Sequence, residues 1–251
     1  MKGALVKARS GGRAADELRP VRVTRRYLKH AMGSCIFELG DTRVLCAASV
    51  DEGVSAWRRG SGLGWLTAEY SMLPASTHTR SRRETSGPKG RTHEIQRLIG
   101  RSLRTVTDLG GLGGEATVTV DCDVIQADGG TRTAAITGAW IAVHDALSAW
   151  QAAGKATTIP LIGQTAATSV GLVDGELFLD LEYSEDSIAE VDMNVVMDDK
   201  ERFIEVQGTG EQIPFDRSRL DAMLDLAGSG ISRLLEIQRR VIDEDLDTYG
   251  F

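Results

Sequence analysis

An α+β fold is predicted for this chain of 251 residues, and three observations predict it. Short runs with a two-residue apolar alternation recur along the sequence. Three longer segments place apolar residues at helical spacing. Each half of the chain carries its strands first and a helix after them. This grouping suggests a duplicated α+β unit, although no clean internal repeat is visible. No Pro- or Gly-rich linker divides the halves, so residues 1–251 read as a single domain. Residues 1–18, polar and basic, read as a loosely ordered arm.

The strand runs fall at 34–39 (SCIFEL), 43–50 (RVLCAASV), 64–70 (GWLTAEY) and 116–124 (ATVTVDCDV). They continue at 166–173 (AATSVGLV), 176–183 (ELFLDLEY), 189–197 (AEVDMNVVM) and 202–207 (RFIEVQ). GDT at 40–42 and DG at 174–175 are tight-turn signals that pair their flanking runs as hairpins. Helices fit about 93–107, 132–153 and most of 216–245. In the second, Ile136, Trp140, Val143, Leu147 and Trp150 share one face. Residues 76–92, rich in Ser, Thr, Arg and Gly, read as a mobile loop.

Composition sets bounds. Hydrophobic residues make up 41% and charged residues 26%, ordinary values for a globular protein. No apolar run approaches 18 residues, so no membrane span or membrane partner is expected. The N-terminal segment lacks the apolar core of a secretory signal. Cys35, Cys46 and Cys122 lie in apolar strand runs without CxxC spacing. They read as reduced core residues of a cytoplasmic protein. The net charge of −7 is unevenly spread: residues 80–104 hold eight basic and two acidic side chains, an excess of +6, which leaves −13 elsewhere. Such a patch either attracts a polyanion or is a solvated charged loop.

Gly129-Gly130-Thr131-Arg132 lies between the 116–124 strand and the 132–153 helix. The glycines permit a sharp turn and a close approach. The helix N-terminus offers free N–H groups and partial positive charge. The threonine hydroxyl and the arginine fork complete an anion site. The plainer reading is a glycine turn beside a surface arginine.

Acidic residues gather in FLDLEYSEDSIAEVDMN. Read as a strand, this segment puts Phe178, Asp180 and Glu182 on one face and Leu179, Leu181 and Tyr183 on the other. Glu185 and Asp186 follow at the turn, and Asp192 interrupts the next apolar strand. Buried carboxylates need a partner. Either they hold an oxygen-ligated Mg²⁺ or Mn²⁺, or they pair with arginines of the basic segment, the reading favoured for Glu182 and Glu185. Arg97, Arg101 and Arg104 form a helical stripe opposite Ile95, Leu98, Ile99, Leu103 and Val106. The stripe faces a nucleic-acid backbone, a neighbouring subunit's acids or solvent. Arg91 follows Gly90 and could join the anion site. His30, His78, His93 and His144 show no metal-ligand spacing. No GxSxG or Walker pattern supports a covalent nucleophile or a P-loop.

The chain resembles the ribonuclease PH family of phosphate-dependent 3′ exoribonucleases. The resemblance runs through GDTRVLCAASV, GWLTAEYSMLPASTHTR, GRTHEIQRLIGRSLR, DCDVIQADGGTRTAAITGA, LDLEYSEDSIAEVDMNVVM and EVQGTGE, in that order and over nearly the whole length. Ala135 departs from the Ser of many relatives, and the segment between Arg83 and Arg91 varies. The resemblance implies a fold of the ribosomal protein S5 domain 2-like class with a duplicated ββα-type core. It also implies a homohexameric ring, a trimer of dimers. Phosphate would be held by Arg91, Gly130, Thr131 and Arg132. Asp180 and Asp186 would be the catalytic, metal-associated aspartates, with Mg²⁺ or Mn²⁺. Arg80 and Arg83, in a loop similar to one that contacts RNA and subunits, are RNA-binding candidates together with Arg97 and Arg101. The implied reaction removes nucleotides from single-stranded RNA 3′ ends, as in tRNA precursors, with phosphate as nucleophile and nucleoside diphosphates as products. The alternative is a ring subunit that binds RNA without chemistry; retention of Arg132 and the Asp180/Asp186 pair argues for an active enzyme.

Overall fold

The structure is a computed structural model, and it describes residues 9, 12–85, 87 and 89–250. In chain order the elements are β1 (Val21–Arg25), β2 (Gly33–Leu39), β3 (Thr42–Glu52), β4 (Trp65–Met72), α1 (Gly90–Thr105), β5 (Ala116–Gln126) and α2 (Thr131–Ala152). They continue with β6 (Thr165–Val173), β7 (Glu176–Leu179), α3 (Tyr183–Asp186), β8 (Val191–Asp198), β9 (Phe203–Thr209), α4 (Arg217–Asp243) and β10 (Thr248–Tyr249).

The first half forms a six-stranded sheet in the order β10-β1-β2-β3-β5-β4, and the second a four-stranded sheet in the order β7-β6-β8-β9. All pairings are antiparallel except β4 with β5. The fold is α+β, as expected. The Asp174-Gly175 turn joins β6 to β7 with positive φ at both residues, +52° and +82°, the geometry that suits a right-twisted hairpin.

Helix α2 organises the molecule. Its buried residues run almost without interruption from Thr133 to Val143, so it is apolar nearly all round, as an interior helix must be. It packs on β2 and β3 of one sheet and on β6 of the other. Gly138 makes this approach possible: a Cβ there would come within 2.7 Å of Phe37 Cβ and 3.0 Å of Cys46 Sγ. Helix α4 covers β6, and Gly230 lies against Leu179. One buried cluster, from Val23 to Val241, threads both sheets. Each fully buried Ile or Leu in it contributes roughly 1.5–3 kcal/mol. Cys35, Cys46 and Cys122 stand directly opposite one another on β2, β3 and β5 as free, buried thiols. Among the described residues no helix is long and apolar enough to cross a membrane.

The structure corrects two expectations. The strand read over 176–183 stops at Leu179. Asp180 takes a left-handed φ of +53°, and the chain then enters α3 through a capping box of Glu182 and Glu185. The proposed strand faces at 180–183 therefore do not exist. Glu185 pairs with Arg9 and Arg13, not with the basic segment 80–104. Of the arm read over residues 1–18, residues 9 and 12–18 are described, and two of them bond to the end of β7. The buried Arg9 donates to Leu179 O at 2.7 Å and Asp180 O at 3.1 Å, and Leu179 N–H donates to Ala15 O. The rest of that expectation, at residues 1–8, 10 and 11, lies outside the described residues. The short β1 and β10, which lack a distinct alternating run, are additions.

Candidate active site

Helix α1 starts at Gly90, three residues before the expected position. This puts Arg91 in its first turn. Helix α2 starts at Thr131, capped by Gly130 in the left-handed region at φ +63°. The two N-termini open onto one cavity of about 980 Å³. Its wall includes Arg91, Glu94, Gly129, Gly130, Thr131, Arg132, Asp186, Asp192, Asn194 and Gln207. All four expected phosphate ligands are thus brought together with Asp186.

The glycine pair has a tertiary reason beyond its turn. A Cβ on Gly129, whose φ is +75°, would meet Leu181 O at 2.5 Å and Tyr183 N at 2.9 Å. The GGTR turn is packed directly onto the backbone that leads into α3 and Asp186. Asp128 Oδ1 reinforces the joint by accepting from Tyr183 N–H at 3.3 Å. Thr131 Oγ1 lies 2.9 Å from the Tyr70 hydroxyl. Arg132 is held in place by Glu94 Oε1 and Gln207 Oε1, both 2.9 Å from Nη1.

Four carboxylates line the cavity, Glu94, Asp186, Asp192 and Glu211, and Glu94 is paired with Arg132. Burial pushes the Asp186 carboxyl up, while Arg91 and Arg132 oppose the shift. Burial, with the nearby Asp186 charge, raises Asp192 further, to about 6. Asp192 Oδ1 is buried without a partner. Oxygen-only donors, an orphaned carboxylate oxygen and mutual repulsion fit a hard divalent cation. Among the described residues there is no cluster of three or more such side chains, so the remaining ligands would be water or substrate oxygens.

Asp180 is not part of this pair. It is 0% exposed, and Arg19 takes both of its oxygens: Nη2 to Oδ1 at 2.7 Å, Nε to Oδ2 at 3.0 Å. Asp180 therefore lies off the cavity wall, paired with Arg19, whereas Asp192 lines the wall together with Asp186. The signal of Asp192 was present in the sequence as a lone acid between Val191 and Met193. Arg19 offered none, since its partner lies 161 residues away.

The RNA-binding candidates lie outside the cavity wall. Arg80 and Arg83 are exposed in the loop before α1, and Arg97 is exposed on α1. Arg101 donates from Nε to Glu205 Oε2 on β9 at 2.6 Å. Arg104 turns inward, over the Trp65 ring at 4.4 Å and onto Leu66 O at 2.8 Å. The stripe is therefore divided: Arg101 and Arg104 have partners within the chain.

Solved structures of other proteins share this fold. The rice (Oryza sativa) Rrp46 structure superposes with a TM-score of 0.75 at 21% identity, covering 93% of this chain and 100% of that one. An Archaeoglobus fulgidus exosome with RNA bound to the active site gives 0.77 at 22%, covering 90% and 91%. An archaeal exosome core gives 0.74 at 20%, covering 91% and 90%. These likenesses establish a shared fold. The profile of the 3′ exoribonuclease family, RNase PH, matches in its domain 1 over residues 17–148 and in its domain 2 over residues 163–230. Matched over most of its length, the chain belongs to the RNase PH family of 3′ exoribonucleases.

Proposed function

We propose that the protein is a phosphorolytic 3′–5′ exoribonuclease. One observation carries the proposal: Arg91, Gly130, Thr131 and Arg132 share a cavity with Asp186 and Asp192. Inorganic phosphate and the terminal phosphodiester are both anions, so their approach is repelled. Arg91, Arg132 and the N–H groups at the start of α2 offset that repulsion and orient the attacking oxygen. A phosphate oxygen bonds to the terminal phosphorus, the P–O3′ bond breaks, and the released 3′ oxygen takes up a proton. The products are a nucleoside 5′-diphosphate and an RNA one residue shorter, and excess diphosphate drives the reverse polymerisation. Mg²⁺ or Mn²⁺ held by Asp186 and Asp192 would offset the charge that develops on phosphorus and on the leaving oxygen. Asp180 acts through Arg19 as a positioning residue. Positioning and electrostatics suffice for this chemistry.

The proposed substrates are single-stranded 3′ ends such as those of tRNA precursors, in the cytoplasm. The proposed assembly is a homohexamer, with Arg80, Arg83, Arg97 and Arg101 as RNA or subunit contacts. Support comes from the family and from the RNA in the active site of a solved protein of the same fold. A second reading, a ring subunit that binds RNA without chemistry, is favoured by the commitment of Asp180 to Arg19. Incubation of a 3′-single-stranded RNA with Mg²⁺, with and without phosphate, separates the two. Phosphate-dependent shortening with labelled phosphate in the β position of released diphosphates supports the enzyme. RNA binding without shortening supports the subunit. Equal release of monophosphates without phosphate would identify water as the nucleophile and overturn both.

A further inference from the structure

At one end of the same cavity lie two aromatic rings that the phosphate chemistry does not use. His78 and Tyr183 both line it, with ring centroids 5.6 Å apart and planes tilted by 50°. Both are exposed, Tyr183 to 51%. No buried cluster claims either ring, so their place is not explained by core packing. Tyr183 is nevertheless fixed at its backbone. It opens α3, its N–H donates to Asp128, and the same N lies against Gly129. It stands three residues before Asp186, which on one helical turn separates the Cβ atoms by about 5–6 Å. Thr77 and Thr79 flank His78 on the wall, and the Thr77 hydroxyl is turned to Thr79 O at 2.8 Å.

We propose that His78 and Tyr183 form the subsite for the 3′-terminal nucleobase, which stacks on them while its phosphodiester lies beside the inorganic phosphate held by Arg91 and Arg132. The inference rests on the reading of this cavity as an RNA site. An exposed aromatic pair offers a π-face to any base, and such stacking tolerates all four. The pair carries no carboxylate and no guanidinium aimed at a base edge, so the subsite holds purines and pyrimidines with similar success. Tyr183 stands on the same helical turn as Asp186, so stacking would set which phosphodiester lies beside the anion site.

The test uses the full-length protein and an RNA with 2-aminopurine at its 3′ terminus, with binding titrated in Mg²⁺ without phosphate. Quenching of the fluorophore is expected on the unaltered protein and on Tyr183→Phe. It should be lost on Tyr183→Ala and reduced on His78→Ala. In the presence of phosphate, Tyr183→Ala should raise the KM for RNA roughly tenfold or more, with the KM for phosphate unmoved. Because Tyr183 is exposed, its removal leaves the core intact, and unchanged thermal unfolding verifies this. Phosphate-dependent shortening without quenching would overturn the stacking subsite and leave the proposed reaction standing. Quenching without shortening would retain the subsite and refute the reaction. Failure of the unaltered protein to bind RNA would overturn both.

Discussion

Arg19 grips Asp180 three times: its own N–H reaches Oδ2 at 2.8 Å, Nε reaches Oδ2 at 3.0 Å and Nη2 reaches Oδ1 at 2.7 Å. The same guanidinium donates to Asp128 O and, at 3.4 Å, to Gly129 O. One arginine from the N-terminal segment therefore ties the end of β7 to the GGTR turn. Both partners are buried, so the pair is a structural clamp whose removal exposes the cost of an uncompensated charge.

The clamp separates two roles for Asp180. Asp180→Asn should lower the unfolding free energy by about 3–5 kcal/mol and weaken phosphate binding as the turn loosens; Arg19→Ala should do the same, with strong coupling in a double-mutant cycle. Urea denaturation checks this. A variant with unaltered stability and no turnover would instead mark Asp180 as a direct metal ligand.

Arg132→Ala and Arg91→Ala should each raise the phosphate concentration needed for activity by roughly ten- to hundredfold, with a smaller effect on RNA affinity. Phosphate titration at saturating RNA gives the measure. An unmoved phosphate requirement in either variant removes that arginine from the anion site.

Asp186→Asn and Asp192→Asn should abolish turnover and weaken Mg²⁺ binding while the protein stays folded, because the amide keeps the shape and loses the charge. Calorimetric Mg²⁺ titration beside circular dichroism tests both halves. Retained Mg²⁺ affinity in Asp192→Asn would return the second carboxylate position to another residue.

Glu185 predicts the acid limb of stability. Burial works to raise its carboxyl, but the hydrogen bonds from Arg9 prevail, aided by the Arg9 and Arg13 charges, and hold it below the ordinary 4.5. A depressed folded value means the stabilisation is complete above 4.5 and is lost as pH falls through the lower folded value. Unfolding curves from pH 7 to 2 should show this loss, and Glu185→Gln, already less stable at pH 7, should show a shallower one. Parallel curves for the two proteins would refute the assignment.

The divided stripe on α1 makes its own forecast. If α1 meets RNA, Arg97→Ala should reduce the slope of log affinity against log salt by about 1. Arg101→Ala, which removes a side chain already paired with Glu205, should change it less. Equal effects would show that the Glu205 pair opens when RNA binds, and a loss of ring mass in sizing chromatography would assign the stripe to subunit contacts.

The local levels of this structure were legible in the sequence. β5 alternates cleanly, α2 shows helical spacing although it proves apolar nearly all round and not on one face, and Gly129-Gly130 marks the joint between them, because period and turn chemistry act over a few residues. The turn at the start of α2 was legible for the same reason: Gly130, Thr131 and Arg132 are neighbours in the chain, and the structure sets them on one cavity wall. The carboxylates were not assignable by period. Asp180 and Asp192 both interrupt apolar runs, and only the tertiary fold sends one onto Arg19 and the other into the cavity. Partner choice for a buried charge depends on which long-range segment packs against it. The ten-residue separation of Arg9 from Arg19 does not reveal that both return to residues 179–185. The sequence by itself determined the elements, the turn and the kind of side chains available. The tertiary structure decided which carboxylate is clamped, which lines the cavity, and which aromatic rings remain bare at the mouth, because desolvation and pairing are properties of the packed chain and not of its neighbours in sequence.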